Sequence, residues 1–175
     1  KGWDEAVVKE VSAILAAGTL ATDAVVTTNG LDVLAALHAS GMSRPFLVLP
    51  PWFGDDTVAA GLRYFADLGV TLAGHVRHDP GPRWRDVPPG DLYPRGMGFA
   101  QDVEALRVQI LAACPATADG VLIAGTGFRC VAIIEALEQA LQRPVVTANQ
   151  ASLWHCLRRT GVSTKIDGYG RLLRL

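Results

Sequence analysis

The chain has 175 residues, half of them hydrophobic, with 16 Lys and Arg against 17 Asp and Glu for a net charge of -1. That is enough apolar material for one domain or two small lobes, and the balanced charge offers no basic face of the kind nucleic acid requires. The longest apolar runs, such as "PFLVLPPWF" (45–53), fall short of a bilayer span, and the charged start "KGWDEAVVKEV" lacks the apolar centre of a signal peptide.

Residues 4–17 place Val7, Val8, Val11, Ile14 and Leu15 on one helical stripe, with Asp4 positioned as its cap. "DAVVTT" (23–28) reads as a β-branched strand, followed by a helix over 31–40 capped by Asn29. A second strand is expected in "RPFLVLP" (44–50). The helix after it, 55–68, carries Asp55 and Asp56 in its first turn, where they suit the helix dipole. "GVTLAGHV" (69–76) is a third strand. Residues 77–98 are crowded with Pro and Gly, which excludes regular structure and marks either a functional loop or a disordered one. Beyond it the rhythm resumes: helix 99–114, strand 120–124, helix 129–141, strand 143–148 and a helix over 149–161 opened by Asn149.

Such alternation predicts an α/β fold with mostly parallel sheets, in which ligands gather at the carboxyl ends of strands. Those ends are residues 27–29, 50–56, 125–129 and 147–150. In "LIAGTGFRC" (122–130), Gly125, Thr126 and Gly127 do not complete a dinucleotide fingerprint. Cys130 stands where a third Gly or Ala belongs, and "RPVVTANQ" supplies no acid for a ribose. A Walker loop is absent too. What remains is a set of backbone N–H groups at a helix start, suited to a carboxylate or single phosphate, with Arg129 as a further positive charge. The plainer alternative is a tight turn beside a solvated arginine. Trp52 and Phe53 either line a pocket at their strand end or plug it. Asn149 is a cap whose amide also reaches the sheet mouth, and Trp154 and His155 read as packing residues.

Cys114, Cys130 and Cys156 form no C-x-x-C pair and suggest reduced thiols in a cytoplasmic protein. Each reads as an inert buried thiol, although Cys130, near a helix start, is also a candidate nucleophile. His38, His75, His78 and His155 show no metal-binding spacing, so no metal is expected.

The segment "ADGVLIAGTGFRCVAIIEALEQALQRPVVTANQASLWHCLRRTGV", with "VVTTNGLDVLAALHASG" and "PPWFGDDTVAAGLRYFADLGV" upstream, resembles the aspartate/glutamate racemase superfamily. Its nearest branch is that of maleate cis-trans isomerase and arylmalonate decarboxylase, and the similarity covers about residues 20–170. The resemblance implies two Rossmann-like lobes with a small mono- or dicarboxylate bound between them, no cofactor, and backbone N–H groups stabilising enediolate-like charge. It also implies isomerase or decarboxylase chemistry with one or two cysteines. A relative that has lost catalysis and keeps the anion site, in a binding or regulatory role, is the alternative.

The family's second-lobe cysteine falls at Gly125 here, and its first-lobe cysteine would precede Lys1, so the first third of such an enzyme is expected upstream. Trp52 stands at the family's tyrosine position, removing a hydroxyl. The catalytic residues are therefore not identified. The substrate-binding candidates are Trp52, Phe53, Gly125, Thr126, Gly127, Arg129 and Asn149. Residues 1–42 with 148–175 are expected to form an incomplete first lobe and 43–147 the second, with homo-oligomerisation left open. A cysteine installed at 125 is expected to restore the family's thiol position.

Overall fold

The computed structural model describes residues 2–18 and 24–175. Four strands, β1 (Phe46–Leu49), β2 (Gly74–Arg77), β3 (Val121–Ile123) and β4 (Val145–Thr147), form one parallel sheet in the order β2-β1-β3-β4. β1, β3 and β4 read as continuous apolar runs because both faces are covered, whereas β2, at the sheet edge, alternates half-buried and exposed residues. Alternate residues point to opposite sides. Leu47, Leu49, Leu122 and Val146 meet α2 (Asn29–Ala39), α3 (Asp55–Asp67) and α7 (Ala148–Arg159). Phe46, Val48, Val121, Ile123 and Val145 meet α5 (Val103–Ala113) and α6 (Ile134–Leu141). The result is a parallel α/β sheet between two helical layers.

Several local expectations are corrected. Helix α1 spans Gly2–Ala17, so Asp4 is inside it and does not cap it. Asp4 is 2% exposed and accepts hydrogen bonds from the hydroxyls of Thr28 (2.6 Å) and Tyr64 (2.8 Å). Burial, then the hydrogen bond to Asp4 and its charge, raises the Tyr64 phenol above its usual range. On the expected apolar stripe of α1, Val11 and Ile14 are exposed. Asp23, at the start of the strand expected over 23–28, lies outside the described residues, and 24–28 are irregular. They make no ladder; Thr27 and Thr28 spend their hydroxyls on Asp32 and Asp4. Thr28, not Asn29, caps α2, accepting from the Leu31 N–H. Asp55 and Asp56 do lie in the first turn of α3, as expected, and Asp55 also pairs with Arg77 at 2.7 Å.

The Pro- and Gly-rich segment 77–98 is more ordered than its composition suggests. It contains a 3-10 turn (Pro82–Trp84) and a short helix α4 (Pro89–Leu92), closed over a buried trio of Trp84, Leu92 and Met97. Trp52 packs against that trio. At its start, His78 is buried, its Nδ1 2.6 Å from the Gln109 side-chain oxygen, and burial lowers its pKa despite that bond. A base whose pKa falls on folding binds its proton more readily unfolded. Stability is therefore complete above about pH 6.5, the ordinary histidine value, and declines as pH falls through that value toward the folded pKa. Urea titrations between pH 5 and 7.5 should show this slope, and His78→Gln should flatten it.

Candidate active site

Connections from β1 to β2 and from β3 to β4 leave the sheet centre in opposite directions, which puts the topological switch point between β1 and β3. Two turns meet there: Pro50–Phe53 after β1, and Gly125–Gly127 after β3. A cavity of about 340 Å³ is lined by Trp52, Phe53, Tyr93 and Gly125 to Gly127. A second, about 310 Å³, lies on the other side of the turn, against Thr126 to Cys130, Thr147 and Asn149. Trp52, Phe53, Gly125, Thr126 and Gly127 thus share one cleft, and Arg129 and Asn149 border the other.

The turn owes its shape to its glycines in two different ways. Gly125 has φ +94°, a backbone state that side chains rarely adopt, and a Cβ there would sit 2.9 Å from the Pro50 ring. Gly127 needs no unusual φ; it leaves space, because a Cβ would stand 2.7–3.0 Å from the Tyr93 ring and hydroxyl. Asn149 Nδ2 donates to the Thr126 carbonyl at 2.9 Å and pins the turn from the side. Asn149 is not the cap of α7; that is Thr147, which accepts from the Gln150 N–H.

The Phe128 N–H is occupied by the Gly125 carbonyl (3.2 Å), and the Arg129 N–H by Gln101 Oε1 (3.2 Å). The N–H groups of Thr126 and Gly127 have no partner among the described residues. An anion would therefore meet these two and the exposed Thr126 hydroxyl. Helix α6 begins only at Ile134, after a 3-10 turn (Val131–Ile133), so its dipole reaches the turn less directly than a helix starting at 129 would. Arg129 directs its guanidinium to the Phe99 carbonyl (2.6 Å). No carboxylate lines either cavity.

Cys130 is buried and donates to the Phe128 carbonyl at 3.3 Å. Burial pushes its thiol up to about 12, only partly offset by a hydrogen bond with Thr147. It is no thiolate at neutral pH, which removes the nucleophile reading and leaves the inert thiol. Cys114 is also raised by burial, while Cys156 is exposed. Iodoacetamide at pH 8 should label Cys156 first and Cys130 last; fast modification of Cys130 in folded protein would contradict its burial. Among the described residues no cluster of three or more His, Cys, Asp or Glu could hold a metal, and no helix is long and apolar enough to cross a membrane. His155 does not reach the cleft. Its Nδ1 lies 2.6 Å from Asp32 at the α2–α7 interface. Tyr93 is the residue that sequence reasoning missed, hidden in a segment whose prolines mask any periodicity.

Free N–H groups in a glycine turn at the switch point of a parallel α/β sheet are the kind of arrangement at which proteins of this class hold anions. Residues 99–173 match the arylmalonate decarboxylase family. The whole chain also resembles solved structures of that branch. Unliganded arylmalonate decarboxylase matches at 24% identity with TM-score 0.74, over 99% of this chain and 67% of that one. The maleate isomerase Iso from Pseudomonas putida S16 matches at 18% with TM-score 0.82, over 99% and 64%. Nocardia farcinica maleate cis-trans isomerase, solved with a covalently bound succinylcysteine intermediate, matches at 17% with TM-score 0.80, over 98% and 64%. No curated protein matches the sequence. The chain has the fold of these arylmalonate decarboxylase and maleate isomerase structures. It spans 64–67% of the length of these three relatives.

Proposed function

We propose that this chain is a cofactor-independent protein of decarboxylase or isomerase type that binds a small mono- or dicarboxylate at the 125–127 turn. The carrying observation is the pair of unpartnered N–H groups of Thr126 and Gly127, opening into a cleft with aromatic walls and no carboxylate. Such fixed donors hold a carboxylate and stabilise the enediolate-like charge that develops when it loses carbon dioxide or a proton. Trp52 and Phe53 supply an apolar wall for the rest of the substrate. The relatives' names support these chemistries, arylmalonate decarboxylation and maleate isomerisation. In this reading, residues 43–147 supply the sheet of the substrate-cradling lobe, and α2 and α7, from the 1–42 and 148–175 segments, cover one face of that same sheet. The protein is cytoplasmic and acts on neither nucleic acid nor membranes; self-association into a homo-oligomer would be compatible with this arrangement.

A second reading is favoured by Gly125 and Cys130. The relatives' cysteine chemistry needs a thiol, and here the turn has glycine in a conformation hostile to a side chain, with a neutral, buried thiol five residues on. In that case the chain binds carboxylates without turning them over.

Calorimetric titration with phenylmalonate and maleate tests binding, and assays of carbon dioxide release and fumarate formation separate the readings. Gly127→Val is expected to weaken binding at least about tenfold, because its side chain has no room beside the Tyr93 ring and must displace the ring or the turn that carries both donors. Arg129→Ala should change it less than about twofold, because the guanidinium faces a backbone carbonyl. Unchanged affinity in folded Gly127→Val protein would confine the glycines to shaping the turn.

A further inference from the structure

Tyr93 belongs to no regular element, yet three surfaces hold its ring. It packs on Trp52 with ring centroids 4.9 Å apart and planes tilted 60°. Its edge occupies the space that side chains would need at Gly127 and at Gly98, within 2.7–3.1 Å of both ideal Cβ positions. The backbone beside it is pinned, because the Gly96 N–H donates to the Tyr93 carbonyl at 2.9 Å and buried Leu92 and Met97 flank it. A ring fixed this way costs little further entropy when a ligand arrives.

Its hydroxyl, by contrast, makes no hydrogen bond with the described residues. The oxygen lies 2.9 Å from where a Gly127 Cβ would be, and Tyr93 lines the cavity of about 340 Å³ together with Gly125, Thr126 and Gly127. Packing therefore fixes a phenol against Gly127 at the glycine turn and leaves its donor unused.

Resting on the carboxylate reading above, we propose that Tyr93 is a substrate-contacting residue whose hydroxyl donates to the bound carboxylate. With the Thr126 hydroxyl it brings the donors on this face to four, matching the roughly four acceptor sites of a carboxylate. Trp52 contributes its face and no hydroxyl, so the polar contact on this wall comes from the 77–98 segment.

Tyr93→Phe keeps the ring against Trp52, Gly98 and Gly127 and removes only the donor. Phenylmalonate and maleate affinities should each fall about tenfold, as for a lost hydrogen bond to a charged acceptor. Near-ultraviolet circular dichroism and the urea midpoint should not move. If the wild-type chain binds and folded Tyr93→Phe binds equally well, this assignment fails while the carboxylate reading stands. If the wild-type chain binds neither probe, both fail together. A Tyr93→Phe protein that cannot fold would show that the hydroxyl has a structural partner, and would also overturn the assignment.

Discussion

Asp32→Ala is expected to destabilise the chain by about 3 kcal/mol, because it strands several buried donors at once. Asp32 is 1% exposed and sits on the face of α2 that meets α7. Its Oδ1 accepts from the Thr27 hydroxyl at 2.7 Å and lies 2.6 Å from His155 Nδ1; its Oδ2 accepts from the Ser152 hydroxyl at 2.6 Å. Asn29 adds bonds to the Ala148 carbonyl and Ser152 hydroxyl, both at 2.8 Å. A melting temperature lower by roughly 6–12 °C should accompany the change in a chain of this size. Asp32→Asn, which keeps volume and one acceptor, should cost less. A loss below about 1 kcal/mol in urea unfolding would mean that apolar packing alone joins the two helices. The effect should also reach the site, since α7 carries the Asn149 amide that holds Thr126.

Gly125→Cys is expected to destabilise by about 2–4 kcal/mol rather than restore a working thiol. The left-handed backbone contributes part of that cost and the 2.9 Å approach to Pro50 the rest. Gly125→Ala should cost nearly as much, because the penalty belongs to the Cβ and not to sulfur. Thr126→Cys is the informative contrast. Thr126 is exposed and has no positive φ, so a thiol there should fold with less than about 1 kcal/mol of loss. Equal stability of Gly125→Cys and wild type in urea would show that the turn relaxes, and would reopen position 125 to the relatives' cysteine chemistry.

The sequence carried the sheet well and its polar connections poorly. Four of the five expected strands are present; three of them, buried on both faces, announce themselves as apolar runs such as "FLVL" and "VLI", while the edge strand β2 is confined to 74–77. The fifth, at 23–28, has the same β-branched composition, but its two threonines are engaged by carboxylates. Asn29 and Asn149 were expected as caps, and a threonine one or two residues earlier takes that role each time. Both asparagines instead bond across the fold, to Ala148 and Thr126. Propensity ranks Asn and Thr too closely as caps to choose between them.

By itself the sequence determined the alternation of strand and helix and the position of the glycine turn. Both follow from local periodicity and from residues whose backbone freedom is intrinsic. It also placed Trp52, Phe53 and Gly125 to Gly127 at strand ends, the region where they share a cleft. Only the tertiary structure decided that Arg129 turns away, that Asp4 is buried inside a helix, and that Asp32 joins residues up to 123 positions distant. It alone brought Tyr93 over Gly127. Such pairings depend on which polar groups meet once the sheet has formed. Spacing along a chain does not encode that, because any of several donors could have satisfied the same buried acceptor.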